Sequence, residues 1–160
     1  MEPSRVREVD VWFDEYGQSH RHGVNKAIHT VCVPLIVISL IGMLWSLPVP
    51  AEFTEISPAL NWGTTFLLAS VVYYFIMSMP LAFGMLPFVL VTVIAVQWMD
   101  RVPGPLWSLS AGLFILGWVG QFFGHMIEGR KPSFFRDLQF LMIGPLWLLA
   151  GLYKRLGIPY

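Results

Sequence analysis

The sequence predicts an all-α integral membrane helical bundle with four spanning helices, an N-terminal interfacial helix and a fifth, short hydrophobic helix near the C-terminus. Of the 160 residues, 56% are hydrophobic and 12% are charged, whereas a typical soluble domain is about 45–50% apolar and about 25% charged. Four long apolar runs and an uneven distribution of basic residues give the same indication. The length predicts one membrane-embedded domain over residues 1–160.

The four apolar runs each approach the roughly 17–25 residues that a helix needs to cross the hydrocarbon core of a bilayer. A helix suits that environment because it satisfies its own backbone polar groups. Short segments that contain proline separate the runs. The predicted spans are residues 31–47, 62–79, 81–99 and 106–123.

Two shorter segments flank these spans. The stretch EVDVWFDEYG at residues 8–17 mixes acids with apolar and aromatic residues, which predicts an amphipathic helix on the membrane surface. The apolar run at residues 138–153 is about one turn short of a span and is interrupted by Gly144 and Pro145. It could cross the membrane, re-enter it or lie at its surface.

Basic residues concentrate on one side of the predicted membrane topology. Four crossings leave only Arg101 on the opposite side. The positive-inside bias therefore makes the basic side cytoplasmic, in the plasma membrane of a bacterium or the endoplasmic reticulum of a eukaryote. Because the formal net charge is zero, nucleic acid is not an expected partner. The residues on the basic side are Arg5, Arg7, Arg21, Lys26, Arg130, Lys131 and Arg136.

All four histidines of the chain fall on this same side. His20, His22 and His29 precede the first span, and His125 follows the fourth. A helix that begins near Gly23 would place Asn25 and His29 on one face. Neutral imidazole is a common nitrogen ligand for transition metals, so this convergence predicts a metal site.

The second half of this predicted site is the stretch GQFFGHMIEGRKP. Gln121, His125 and Glu128 follow one another at helical spacing and form one polar stripe, and ionisable groups at membrane depth are functional candidates. Gly124 and Gly129 would allow a second backbone to approach closely.

Simpler interpretations exist for each feature taken alone. The stretch SHRHG is typical of a solvated loop, Glu128 could form a surface ion pair with a following basic residue, and Asn25 could cap the first helix. If a metal binds, nitrogen ligands and one cysteine in total favour zinc or non-haem Fe(II) over thiolate or iron–sulfur sites. A site at headgroup depth favours an amphiphilic substrate such as a long-chain acid.

The stretches YGQSHRHGVNKAIHTVCVPLI and GWVGQFFGHMIEGRKPS resemble a family of small multi-spanning membrane proteins, formerly a domain of unknown function. That family includes a fungal 2-hydroxy fatty acid dioxygenase of phytosphingosine breakdown. The resemblance extends from about Tyr16 to the last apolar segment. The matching positions are His20, Asn25, His29, Gln121, Gly124, His125, Glu128 and Pro132, whereas His22 departs from the family pattern.

The resemblance implies an Fe(II) dioxygenase that uses O₂ to shorten a long-chain 2-hydroxy fatty acid by one carbon. His20, His29 and His125 would hold the iron, with His22 ranked below them as a ligand. Glu128, Asn25 and Gln121 would support catalysis by fixing the imidazole tautomers. Lys26, Arg21 or Arg130 could attract the substrate carboxylate.

Other functional classes stay open at this point. Two histidines between spans could bind haem, the chain could be a non-enzymatic transporter or scaffold, and a zinc hydrolase is a third alternative. A homo-oligomer is compatible with the sequence. The lipid bilayer is an expected partner in every case.

Overall fold

The computed structural model describes residues 7–129 and 140–160, and the residues in these two ranges form seven helices and no strand. The all-α prediction is therefore confirmed for the described chain. The helices are α1 (Glu8–Gly17), α2 (Gly23–Trp45), α3 (Ala51–Ile56), α4 (Trp62–Met77), α5 (Met79–Met99), α6 (Leu106–Glu128) and α7 (Ile143–Leu156).

Helices α2, α5 and α6 are long and apolar enough to cross a membrane. Helix α4 is apolar but has only 16 residues, so at 1.5 Å per residue it extends about 24 Å, less than the hydrocarbon core of about 30 Å. Three of the four predicted spans thus have full length. Helix α2, the first of the long apolar helices, begins at Gly23, about two turns before the predicted start of the span at residue 31.

Small residues bring α2 and α6 into close antiparallel contact. A Cβ atom added to Gly124 would overlap Oδ1 of Asn25, and one added to Gly42 would overlap Oγ of Ser110. These two contacts lie at opposite ends of the pair, so the beginning of α2 adjoins the end of α6. Close approach through small residues is typical of helix packing in membranes.

The predicted surface helix at residues 8–17 forms as α1, but its apolar face packs on protein. Val9, Phe13 and Tyr16 are buried in a cluster with residues of α5 and α7 such as Leu81 and Leu146. The apolar side chains that the sequence offered to the headgroup layer thus contact α5 and α7 instead, and the place of α1 at the membrane surface stays a prediction.

Helix α7 packs against α1, α2 and α5. Its Lys154 lines the same cleft as Arg21 and Lys26, so α7 ends near the basic end of the bundle, where these two residues lie. Residues 138 and 139 of the predicted fifth segment lie outside the described ranges, as do Arg5, Arg130, Lys131, Pro132 and Arg136.

Candidate metal centre

Three histidines from different parts of the fold meet at the basic end of the bundle. His20 lies in the turn between α1 and α2, His29 lies two turns into α2, and His125 lies in the last turn of α6. Each offers one ring nitrogen, and these nitrogens lie within 4.8 Å of one another. The side chains are at most 3% exposed, so the group is buried. The structure thus brings together the three histidines that the sequence ranked highest.

The imidazole rings meet edge to face and form a compact triangle. The ring centroids of His20 and His29 are 4.3 Å apart, those of His29 and His125 are 5.0 Å apart, and those of His20 and His125 are 5.3 Å apart. Metal–nitrogen bonds are about 2.0–2.1 Å long. Two nitrogens on one ion are thus at most about 4.2 Å apart, so the rings would rotate to bring all three around it.

Backbone carbonyl groups fix the tautomers of two of these rings. Nδ1–H of His20 donates to the carbonyl oxygen of Tyr16 at 2.7 Å, and Nδ1–H of His29 donates to that of Asn25 at 3.0 Å. Because a carbonyl oxygen only accepts, Nδ1 carries the proton and Nε2 keeps its lone pair. A metal-ligating histidine typically uses its other nitrogen in this way.

The Nε2 atoms of His20 and His29 are buried and have no hydrogen-bond partner in the part of the chain that the structure describes. A buried polar atom without a partner costs about 1–3 kcal/mol. Two such atoms side by side, each with an available lone pair, fit a metal ion. These imidazole nitrogens are therefore suitable ligands for a transition metal.

Burial also favours the charge state that binds metal. Removal from water lowers the pKa of the His20 imidazole to about 4, against the opposing effect of its hydrogen bond to Tyr16. His20 is therefore neutral at physiological pH. Neutral imidazole is the form that ligates metals.

Tyr16 supports His20 from one side. The two rings stack with centroids 4.0 Å apart and planes 13° apart. Trp147 of α7 completes this wall, with its ring centroid 5.7 Å from that of His20 and 5.2 Å from that of Tyr16. The sequence analysis missed both aromatic residues. Tyr16 precedes His20 by one helical turn, a spacing that could have indicated the pair, whereas nothing in the sequence placed Trp147 here.

Glu128, the last residue of α6, binds the backbone at the start of α2. Its carboxylate accepts the backbone N–H of Arg21 at 2.9 Å and that of His22 at 2.9 Å. It also accepts Nδ2–H of Asn25 at 3.0 Å. An acid at a helix N-terminus is stabilised by the free N–H groups and by the helix dipole.

Asn25 acts on the His29 tautomer through its backbone carbonyl, whereas its side chain and that of Glu128 hold the backbone before α2. The hydrogen bonds on His20 and His29 come from backbone carbonyls, while Glu128 and Asn25 join α6 to the turn that carries His20. The Asn25 side chain also donates to the carbonyl oxygen of Ser19 at 3.1 Å. It is not the helix cap that one interpretation of the sequence suggested.

His22 lies outside the group of three. It is the N-cap of α2, where its Nδ1 accepts the backbone N–H of Val24 at 3.2 Å. The residue is exposed. Its position beyond the cluster agrees with its lower rank among the predicted ligands.

Three further residues that the sequence singled out, Gln121, Gly124 and Gly129, lie in or just after α6. Gln121 is buried and lines a small cavity with Tyr16 and Trp118, one turn before His125. Gly124 provides the close approach to Asn25 that the sequence predicted. Gly129 does not, because a Cβ there would meet no atom within 4 Å. Its φ of 73° instead ends α6 in the left-handed conformation that glycine favours.

A cleft of about 630 Å³ opens beside His20. Three basic side chains, Arg21, Lys26 and Lys154, line it together with one acid, Asp14. The cleft therefore carries an excess of positive charge. An anionic group that entered it would lie next to the buried histidines.

Known proteins resemble this chain over most of its length. The model of the family described as "2-hydroxy-palmitic acid dioxygenase Mpo1-like" matches residues 6–156. The 2-hydroxy-palmitic acid dioxygenase MPO1 of Saccharomyces cerevisiae is 26% identical over 140 residues, which cover 86% of this chain and 75% of the yeast protein. No solved structure is significantly similar to this chain.

Proposed function

The chain belongs to the Mpo1-like family of 2-hydroxy-palmitic acid dioxygenases, and from this premise we propose that it is an Fe(II)-dependent dioxygenase. Its substrate is a long-chain 2-hydroxy fatty acid, which it converts to the fatty acid shorter by one carbon in an α-oxidation. The observation that carries the proposal is the buried group of His20, His29 and His125, whose ligand nitrogens lie within 4.8 Å of one another.

The reaction balances without a further reductant. A 2-hydroxy fatty acid and O₂ give the shortened fatty acid, CO₂ and water. The bond between the carboxyl carbon and the hydroxyl-bearing carbon breaks, the hydroxyl-bearing carbon becomes the new carboxyl group, and the hydroxy acid supplies all the electrons that reduce O₂. A 2-oxoacid co-substrate is therefore not required.

His20, His29 and His125 would hold the iron. When bound, Fe(II) supplies Lewis acidity toward the carboxylate and hydroxyl of the substrate and the redox capacity to activate O₂. Three protein ligands are few enough to leave room for the hydroxy acid and O₂ beside them.

The other residues of the site prepare this arrangement. The carbonyl groups of Tyr16 and Asn25 hold the rings of His20 and His29 with Nε2 deprotonated. Glu128 anchors the turn that carries His20. Tyr16 and Trp147 shield this ring from water, since they pack directly against it.

The distribution of basic residues indicates on which side of the membrane the metal end lies. Among the described residues, Arg21, Lys26 and Lys154 line a cleft at one end of the bundle, whereas Arg101 follows α5 at the other end. By the positive-inside bias, the metal end faces the cytoplasm.

Anaerobic reconstitution tests the proposed activity. The purified protein is loaded with Fe(II) under argon, given 2-hydroxypalmitate and then exposed to air, and mass spectrometry follows the products. We expect pentadecanoate with the wild type and none with Zn(II)-loaded protein or the His29→Ala variant. Folded, iron-loaded wild type that produces no pentadecanoate would overturn the proposal. An absorption spectrum of the same sample separates the haem alternative, which would show an intense Soret band.

A further inference from the structure

Two cavities meet at the basic end of the bundle. The cleft beside His20 has a volume of about 630 Å³, and a groove between α2, α5 and α7 has a volume of about 500 Å³. Lys26, Trp147 and Gly151 line both cavities. Each volume falls within the roughly 300–1,000 Å³ typical of small-molecule sites.

The two cavities differ in character. Basic side chains exceed acids in the cleft, where Arg21, Lys26 and Lys154 oppose only Asp14. The groove is mostly apolar, and side chains such as Phe88 and Leu148 line it. Its members come from the halves of α2 and α5 nearest the cleft. A polar, cationic compartment thus adjoins an apolar one.

We propose that the cleft and the groove form one binding site for a single-chain acidic amphiphile, with its carboxylate in the cleft and its acyl chain in the groove. The charge of the cleft complements a carboxylate, and the apolar groove complements a hydrocarbon chain. His20 lines the cleft, so the head group of the bound amphiphile lies beside the histidine group. The inference rests on the proposed function for the identity of the amphiphile, a long-chain 2-hydroxy fatty acid.

Gly151 marks the junction between head group and chain. It lies within α7, and a Cβ atom added to it would meet no atom within 4 Å. The first atom of a side chain at this position therefore has open space around it. Because Gly151 lines both cavities, such a side chain would lie where the cleft adjoins the groove.

Photolabelling tests the site directly. Metal-free protein in nanodiscs of zwitterionic phospholipid is irradiated with a palmitate analogue that carries a diazirine in its chain, and mass spectrometry maps the labelled residues. We expect labels on groove residues of α5 and α7 such as Phe88 and Leu148, and we expect excess 2-hydroxypalmitate to suppress them. If the labels were spread over the lipid-facing helices and the competitor did not reduce them, the probe would be reacting from the bulk lipid. That result would overturn the proposed site.

Two variants locate the site more closely. Gly151→Leu should reduce the competed labelling about tenfold, because extra methylene groups in an occupied cavity disfavour the occupant. The matched control is Gly112→Leu, an exposed helical glycine on α6 whose added Cβ also meets nothing within 4 Å. Equal labelling of the two variants would contradict the inference.

Charge variants test the head-group compartment. Lys26→Gln should raise the KM for 2-hydroxypalmitate severalfold with little change in kcat, because Lys26 attracts the carboxylate and is not one of the three proposed iron ligands. Arg101→Gln, at the other end of the bundle, is the control and should leave KM unchanged. An unchanged KM for Lys26→Gln would argue against the assigned head-group position.

The binding and activity results separate the two proposals. Specific labelling without turnover would leave the amphiphile site standing and would overturn the dioxygenase activity. Turnover without specific labelling, with a wild-type KM for Gly151→Leu, would leave the activity standing and would overturn the site.

Discussion

The carboxylate of Glu128 accepts a hydrogen bond from the backbone N–H of His22 at 2.9 Å and joins residues 106 positions apart in the sequence. This bond attaches the end of α6, which carries His125, to the turn that carries His20. The same carboxylate binds Arg21 N–H and Asn25 Nδ2–H. The Glu128 side chain therefore helps to fix the relative position of His20 and His125.

The Glu128→Gln substitution tests this dependence. The amide keeps the shape of the side chain but loses its charge, which weakens the hydrogen bonds from the backbone N–H groups of Arg21 and His22. We expect iron affinity to fall about 10–100-fold, as happens when groups that orient metal ligands are changed. Iron titration of the purified variant measures the effect. Glu52→Gln, an exposed acid in α3, is the control, and equal affinities in the two variants would exclude a positioning role for Glu128.

The histidine group gives a second prediction. His20→Ala, His29→Ala and His125→Ala should each lose stoichiometric iron, and turnover should fall at least about 100-fold, because each removes a proposed ligand rather than a group that only orients one. His22→Ala should keep its iron and lose no more than about 1 kcal/mol of stability with its helix cap. Metal analysis and thermal unfolding of all four variants provide the measurements. Iron loss in His22→Ala equal to that in His20→Ala would contradict the ligand assignment.

Gly124 gives a prediction about packing. An alanine Cβ there would overlap Oδ1 of Asn25, so Gly124→Ala should destabilise the protein by about 1–3 kcal/mol through overpacking. It should also weaken iron binding, since Asn25 connects to Glu128. Gly112→Ala is the matched control because its Cβ meets no neighbouring atom within 4 Å. If Gly124→Ala had the same melting temperature as Gly112→Ala, α2 and α6 would be less closely packed at Gly124 than the structure indicates.

Membrane orientation gives a fourth prediction. In a Cys32→Ala background, Ala59→Cys lies in the exposed loop before α4, and Gln18→Cys lies in the exposed turn after α1. A membrane-impermeant maleimide applied to intact bacterial cells should label Ala59→Cys but not Gln18→Cys. The reverse pattern would place the metal end outside the cytoplasm. Lysed cells, in which both variants should react, are the control.

The convergence of the histidines could be predicted because it depends on the number of crossings. Four crossings separate His29 from His125, and an even number of crossings returns the chain to the side from which it started. Both residues must therefore lie at one end of the bundle. The helical spacing of Asn25 and His29 likewise followed from the start of α2 at Gly23. Local periodicity and topology sufficed for these parts of the site.

Other parts depend on tertiary contacts that residue types do not reveal. His20 and His22 are chemically identical and only two residues apart, and the turn between α1 and α2 alone decides that His20 is buried while His22 caps a helix. The role of Glu128 could not be predicted because its partners are backbone N–H groups, which every residue except proline provides. The place of Trp147 depends on the packing of α7 against α1.

The coordination of the bound metal tests the central claim most directly. The X-ray absorption spectrum of the Fe(II)-loaded wild type, recorded without substrate, reports the number and kind of ligands around the iron. We predict scattering from three imidazoles, those of His20, His29 and His125, and no sulfur ligand. Fewer than three imidazoles, or a sulfur atom bound to the iron, would contradict the account.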